Sequence, residues 1–191
     1  MQKSLWLKTA GTAAAITLAA TTAAQAAPAP ADSMSAAAVV TLRYDDSRAA
    51  GWESAIAAGV ASWNANIDNV ELVEAAPGTR AEIVIVATTG WPQAILGPVR
   101  PGGQVRVELG SQAVSQGYNK TRIAAHELGH SLGLPDTKPG PCSQLMSGSS
   151  AGTGCTNAVP NLTEQARVES LYANRLTALV PADGRTVVDA R

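Results

Sequence analysis

The distribution of apolar and polar residues along the chain predicts several short strands. A β-branched run at 39–44 and a shorter run at 70–73 have the composition and alternation of strands. The stretch 81–87 is almost continuously apolar, which is typical of a strand buried on both faces of a sheet. Polar and apolar residues alternate at 104–109, and this pattern predicts a half-exposed strand at the edge of the sheet.

Two amphipathic helices are predicted besides these strands. The first has large apolar residues at helical spacing, as expected for a helix that covers one face of a sheet. Its core positions are Trp52, Ile56, Val60, Trp63 and Ile67. The second begins at Asn161, with Glu164 placed as in a capping box, and continues to about residue 175. The order strand, helix, strand favours a right-handed crossover and parallel pairing.

The N-terminal residues 1–26 have the composition of a secretory signal peptide. Lys3 and Lys8 provide a positive start, a small-residue apolar region follows, and 24–26 fits the A-x-A cleavage pattern. The apolar run is too short, and too rich in threonine and alanine, to predict a membrane anchor. Residues 27–38 show no periodicity and are interpreted as a short propeptide or linker. We therefore expect a secreted protein.

Composition excludes some classes of partner. The chain has 191 residues and a formal net charge of -1, so no electrostatic argument favours nucleic acid or an anionic membrane surface. Once the leader is subtracted, the remaining length is enough for one domain with a modest core. No stripe of residues suggests assembly, so a monomer is expected.

The two histidines of the chain lie in one short motif with the form H-E-x-x-H-x-x-G-x-x-D. On a helix, residues four apart share a face, so His126 and His130 could direct both imidazoles at one ion, with Glu127 beside them. Gly133 can adopt the left-handed conformation that ends a helix. The chain would then fold back and allow Asp136 to supply a third ligand. Two nitrogens, one carboxylate oxygen and one open position describe a catalytic zinc site.

This motif, followed by the stretch 140–148, resembles the snapalysin family, the small secreted neutral zinc proteases of the metzincin clan. Most metzincins have histidine as the third ligand, and the aspartate points to snapalysin. The likeness runs from about residue 39 to residue 174. It implies a metzincin-like α+β domain with a twisted, mostly parallel sheet, an antiparallel edge strand, a zinc-site helix and a C-terminal helix. We assign 39–175 to this domain, and 176–191 to a tail of unknown role, which is either a flexible or processed segment or an extra hairpin around 182–184.

The resemblance implies further roles for individual residues. Met146 would be the methionine of the turn beneath the metal, and Cys142 and Cys155 would form the family's disulfide. An exported protein meets oxidising conditions, which agrees with such a bridge. The stretch 137–155 is rich in Gly, Ser and Pro, so no regular element is expected there. In metzincins an edge strand above the cleft pairs with the substrate, and 104–109 is our candidate for that strand.

Two positions depart from the family pattern. The family has a tyrosine two residues after the aspartate ligand, a donor to the developing oxyanion, and this chain has Lys138 there. Lysine could supply positive charge instead. The family can also bind calcium before the zinc helix through an aspartate and a threonine, and the matching residues here are Asn119 and Thr121. Asparagine lacks the charge, so calcium should bind weakly or not at all.

The predicted activity is zinc-dependent endopeptidase cleavage of protein or peptide. Zinc would activate water and polarise the scissile carbonyl, and Glu127 would act as the general base. One alternative takes Glu164 or Glu169 as the third ligand. Another is a secreted binding or inhibitory protein whose zinc is structural, although such sites usually have four protein ligands. Residues 27–38 hold no cysteine, which excludes a thiolate from this segment as the group that blocks zinc in a precursor.

Overall fold

The computed structural model describes residues 39–173 and 184–189. The predicted signal peptide and the propeptide or linker lie outside the described residues, and so do residues 176–183 and 190–191 of the predicted tail. The described residues belong to one compact unit. Among them, no helix has the length and apolar character needed to cross a membrane.

A six-stranded sheet forms one layer of the fold. Its strands are β1 (Val40–Arg48), β2 (Val70–Glu74), β3 (Ile83–Thr88), β4 (Gln93–Ile95), β5 (Val105–Gly110) and β6 (Thr186–Val188). Their spatial order is β2-β1-β3-β5-β4-β6. The pairs β1–β2, β1–β3 and β3–β5 are parallel, and β4 is antiparallel to both β5 and β6. The predicted α+β class, with a mostly parallel sheet and antiparallel pairing at one edge, is confirmed.

The helices are α1 (Glu53–Asn64), α2 (Ser111–Ser115), α3 (Lys120–Ser131) and α4 (Leu162–Tyr172). The predicted core face of α1 is confirmed, because its apolar positions and Ile67 just beyond its end are all buried. Trp63 donates from Nε1 to the carbonyl oxygen of Ala125 at 2.8 Å, which joins α1 to α3. A Cβ added at Gly59 would lie 3.0 Å from the backbone nitrogen of Ala125. Glycine therefore allows the two helices to approach closely.

The expectation that 104–109 forms the edge strand is wrong. Strand β5 lies inside the sheet between β3 and β4. Its alternation arises because Val105, Val107 and Leu109 are buried against the helices while Arg106 is exposed on the other face. Alternation therefore reports which faces of a strand are covered, not whether both of its sides are paired. The antiparallel strand next to β5 is β4, whose three residues are too few to show a periodicity.

Two other expectations need correction. The stretch 137–155 does contain a regular element, a 3-10 helical segment at Leu145–Ala151 that is kinked at Gly148, where φ is 51°. Burial of the hydrophobic residues at its start explains why a loop composition still folds regularly here. Strand β3 is central, but its second face is only partly covered, since Val84 and Thr88 on that face are half-buried.

The predicted disulfide between Cys142 and Cys155 is present, and it closes the loop that carries the 3-10 segment. Because the bridge restricts the unfolded chain, replacing both cysteines with serine should lower the free energy of unfolding by about 3 kcal/mol. Denaturant titrations of the metal-free parent and double variant measure this difference. Reductant should lower the midpoint of the parent and leave the double variant unchanged. A parent that is insensitive to reductant would contradict the prediction.

Candidate metal centre

Helix α3 carries the motif through the interior of the protein. Its N-cap is Asn119, whose Oδ1 accepts a hydrogen bond from the backbone N–H of Arg122 at 2.9 Å. His126 and His130 lie one turn apart on this helix, both buried, with ring centroids 4.6 Å apart. Gly133 ends the helix with a φ of 102°, as predicted, and its N–H donates to the carbonyl of His130 at 2.9 Å.

Three side-chain atoms converge where the motif predicts a metal. Oδ1 of Asp136 lies 3.3 Å from Nε2 of His126 and 3.6 Å from Nε2 of His130. The opposite ring nitrogens contact main-chain carbonyls, Nδ1 of His126 at 3.0 Å from Leu145 and Nδ1 of His130 at 2.7 Å from Leu134. A carbonyl oxygen can only accept, so Nδ1 carries the proton in a neutral ring and the Nε2 lone pair faces the centre.

These three converging atoms have no hydrogen-bond partner within the described part of the chain, although all of them are buried. Buried polar atoms are normally paired, because an unpaired one costs free energy. A cation coordinated by His126, His130 and Asp136 would satisfy all three at once. Two imidazoles and one carboxylate form a donor set that suits zinc.

Glu127 lies beside the histidines with a carboxylate that has no solvent exposure. Neither of its oxygens has a hydrogen-bond partner among residues 39–173 and 184–189. A carboxylate oxygen of Glu127 lies within 4.8 Å of a ring nitrogen of His126 and of a carboxylate oxygen of Asp189. A buried, unpartnered carboxylate next to a metal centre can exchange a proton with a molecule bound there.

The floor of the centre is formed by Met146, which is 1% exposed. A Cβ at Gly129 would lie 2.7 Å from Sδ of Met146, so α3 packs directly on the methionine. Glu164 fixes this turn, because its carboxylate accepts from the backbone N–H of Leu145 at 3.2 Å and of Met146 at 2.8 Å. The same carboxylate also forms the predicted capping box of α4 with Asn161.

Both alternative third ligands are therefore engaged elsewhere. Glu164 holds the methionine turn, and Glu169 accepts from the backbone N–H of Asn69 at 3.1 Å. Neither belongs to a metal-competent cluster of the described residues. The structure supports Asp136 over either glutamate as the third ligand.

Arg122 is a supporting residue that the sequence analysis missed. Its guanidinium is buried and donates to the carbonyl of Asn157 at 2.7 Å, to that of Gln144 at 3.0 Å and to Oγ of Ser147 at 2.9 Å. It thereby ties the loop under the centre to α3. The available signal was its spacing, since Arg122 precedes His126 by four residues and shares its helix face.

Asp189, just after β6, also enters the centre and was not predicted. Its Oδ1 lies 3.9 Å from Nε2 of His126, accepts the backbone N–H of Ser149 at 3.1 Å and forms an ion pair with Lys138. Lys138 also contacts Oδ2 of Asp136, at 3.4 Å. Lys138 therefore lies at the centre, between two carboxylates. Nothing near Asp189 in the sequence marks it as part of this site.

The ionisable groups of the centre shift one another's pKa values. Burial lowers the pKa of His126, but the contact with Asp136 and the charges of Asp189 and Glu127 outweigh burial and raise this pKa to about 9. Burial, reinforced by His126, lowers the pKa of His130 to about 3. Burial also raises the pKa of Glu127 to about 8. A divalent cation would compete with these protons, as expected when ligands must be deprotonated to bind it.

The two residues considered for calcium lie at the start of α3. Asn119 is half-buried, and its side-chain oxygen already caps the helix. Thr121 is half-buried in the first turn. An oxygen engaged in capping is a poor ligand unless its second lone pair is accessible. Calcium binding at this position stays a prediction.

Similar proteins were identified by sequence and by structure. An extracellular small neutral protease of Streptomyces coelicolor is 43% identical over 137 residues, which cover 72% of this chain and 61% of that protein. One from Streptomyces sp. (strain C5) is 38% identical, with 74% and 60% covered. One from Streptomyces caespitosus is 38% identical over 135 residues, with 71% and 98% covered. The chain thus matches about three fifths of the first two relatives and nearly all of the third.

Among solved structures, the hatching enzyme zinc-protease HCE-1 of Oryzias latipes superposes with a TM-score of 0.48 and 20% identity. The superposition covers 72% of this chain and 91% of that one. Residues 39–175 match the family described as Streptomyces extracellular neutral proteinase (M7). With this match and relatives at 38–43% identity, the chain belongs to the M7 peptidase family.

Proposed function

We propose that this protein is a secreted zinc-dependent endopeptidase that hydrolyses peptide bonds in proteins or peptides. The observation that carries the proposal is the convergence of three buried, unpartnered ligand atoms beside the unpartnered carboxylate of Glu127. Family membership and the names of the relatives, extracellular small neutral proteases, support both the activity and secretion. Residues 39–175 would form the catalytic domain, acting as a monomer and preceded by a leader at 1–26.

His126, His130 and Asp136 would hold the zinc. When bound, zinc supplies a Lewis acid that lowers the pKa of water and polarises a carbonyl. Asp136 contributes a negative charge that a third histidine would lack, which weakens that effect. Lys138 lies 3.4 Å from Oδ2 of Asp136 and offsets part of this charge. The positioning of Lys138 is thus one way in which this chain compensates for its aspartate ligand.

Glu127 would act as the general base and then as the general acid. Its carboxylate would take a proton from the attacking water and deliver it to the leaving nitrogen of the peptide. Burial keeps the carboxylate away from bulk water, so the proton stays within the site. Lys138 is also close enough to the centre to donate to the developing oxyanion, the role of the tyrosine at this position in the family pattern.

The substrate backbone would bind along β4 rather than along β5. β4 lies next to α3, since the N–H of Gly97, just beyond the strand, donates to the carbonyl of His130 at 2.8 Å. An extended peptide adds readily to a strand edge through main-chain hydrogen bonds. Calcium at Asn119 and Thr121 would be a weak addition, detectable as a rise in melting temperature when calcium is titrated into the zinc form.

A second candidate is a secreted binding or inhibitory protein whose zinc is structural. Asp189 favours it, because its Oδ1 lies 3.9 Å from Nε2 of His126, and a fourth protein ligand would close the site in the manner of structural zinc sites. The buried carboxylate of Glu127 favours catalysis, since a structural site has no use for an unpartnered acid. Measurement of cleavage decides between the two functions.

The first prediction concerns Glu127. The purified secreted protein should bind one zinc per chain, hydrolyse casein and lose this activity to a chelator. Glu127→Ala should retain zinc, because Glu127 is not one of the three ligands, and should lose at least about a hundredfold in kcat/KM, the lower end of the range for a general base. Metal analysis and casein hydrolysis measure both quantities. Zinc bound without any cleavage of casein or a broad peptide library would favour the binding protein, and a fully active Glu127→Ala would exclude its proposed role.

The second prediction separates the metal ligand from the structural carboxylate. Asp136→Ala should reduce zinc affinity by at least about a hundredfold, since loss of a ligand costs more than loss of its supporting hydrogen bond. Glu164→Gln should keep zinc affinity close to the parent value. It should instead lower the free energy of unfolding by about 1–3 kcal/mol, because a donor on the methionine turn loses its charged acceptor. Competition with a chromogenic chelator gives the affinities. Equal losses of affinity in the two variants would contradict the assignment.

A further inference from the structure

Strand β6 covers the outer side of β4, the side on which the proposed substrate would bind. Its register pairs Gln93 with Val188 and Ile95 with Thr186. Further main-chain bonds flank this pairing, from the N–H of Asp189 to the carbonyl of Pro92 at 3.0 Å and from the N–H of Leu96 to that of Arg185 at 2.7 Å. One side of a strand accepts one partner, so β6 and an extended substrate exclude each other there.

The same segment places a carboxylate in the metal centre. Asp189 is 4% exposed, although it directly follows a three-residue strand whose first and last side chains are exposed. Its ligand-type oxygen belongs to a cluster with His126 and Glu127 whose atoms lie within 4.8 Å of one another. Gly148 leaves room for it, because a Cβ at that position would collide with Oδ1 of Asp189. This cluster shares His126 with the cluster of the three predicted ligands, and Oδ1 of Asp189 lies 3.9 Å from Nε2 of that histidine. A carboxylate oxygen that moves onto the ion from here is a suitable zinc ligand.

This segment is an addition to the family domain. The family match ends at residue 175, before the segment begins. The relative from Streptomyces caespitosus is matched over 98% of its own length by 135 residues, which leaves that protein almost no room for such an addition. Among the described residues, every buried hydrophobic side chain lies in 42–172. The core therefore does not depend on the segment.

We propose that residues 184–189 form an inhibitory segment within the chain itself. β6 occupies the substrate's position on β4, and Asp189 supplies a fourth ligand to the metal in place of water. Lys138 and the N–H of Ser149 hold the carboxylate at the centre. The inference rests on the proposed function, and it predicts that activity appears when the segment is displaced or removed.

The segment is weak as a free ligand and effective because it is tethered. A short strand paired on one side contributes little stability by itself. Tethering through a short connection raises the local concentration of a ligand to the order of millimolar. A free peptide that binds with a dissociation constant of about 0.1 mM would then inhibit about tenfold when it is part of the chain.

The test compares the full chain with three variants. One ends at Arg175 and lacks the segment, Asp189→Asn keeps the strand but removes the charge, and Val188→Thr is a matched control at an exposed side chain of the same strand. Each is measured for kcat/KM with a fluorogenic peptide and, after substitution by Co²⁺, for visible absorption, which reports the ligand set. A synthetic peptide of residues 184–189 with an amidated C-terminus is then added to the chain that ends at Arg175.

The proposal predicts a rise of about tenfold in kcat/KM for the shortened chain, with Asp189→Asn between it and the parent. Val188→Thr should stay within about twofold of the parent, as surface substitutions do. The Co²⁺ spectrum should change in the shortened chain and in Asp189→Asn, and the peptide should inhibit the shortened chain and restore the parent's spectrum. Thermal unfolding checks that all three variants are folded.

The outcomes separate this inference from the proposed function. Equal kcat/KM and an identical Co²⁺ spectrum in the parent, the shortened chain and Asp189→Asn would overturn the inhibitory segment while leaving the peptidase intact. If no form cleaves peptides, the proposed function fails. The Co²⁺ spectra and the binding of the peptide then still decide whether Asp189 is a ligand that occupies the centre.

Discussion

The structure depends on the burial of polar atoms that only a cation can satisfy together. Helix α3 directs two imidazole nitrogens into the interior, and the chain returns to add the carboxylate of Asp136. Bringing these groups together without an ion leaves unpaired atoms, and it raises the pKa of His126 while it lowers that of His130. A metal ion would pair with the unpaired atoms and take the place of protons on the histidines, so metal binding and folding of this region are coupled.

The parts around α3 hold these ligands in place. Trp63 fixes the helix from one side, and Met146 supports it from below. The support from below is anchored by two buried charges, because Arg122 donates to the carbonyls of the lower loop and Glu164 accepts from the backbone N–H groups of the methionine turn. Each of these two buried charges forms several hydrogen bonds, which makes the burial tolerable. The disulfide adds a covalent limit on the same loop.

The parts of the site that are local in sequence could be predicted, and the parts that are distant could not. His126, Glu127 and His130 share one helix, so their spacing alone predicts their geometry. Asp136 was predicted from the turn that Gly133 makes after the helix, and the resemblance pointed to the same ligand and to the disulfide. The position of β5 in the sheet was predicted wrongly. The alternation of its residues shows which faces of the strand are covered, but it does not show which strands lie beside it. The role of Asp189 could not be predicted, because its position near the metal centre depends on the pairing of β6 with β4, and no short sequence pattern indicates that pairing.

The position of Lys138 connects the metal ligand with the C-terminal segment. Its ammonium group contacts the carboxylates of both Asp136 and Asp189, so one lysine forms an ion pair with each of two aspartates. If Asp189 leaves, as the proposed inhibitory segment requires, Lys138 still has its contact with Asp136 beside the metal centre. A family tyrosine at this position could donate a hydrogen bond, but it could not pair with the charge of a carboxylate. The lysine therefore fits a chain that carries its own acidic ligand, and the departure from the family pattern and the additional segment are explained by the same interaction.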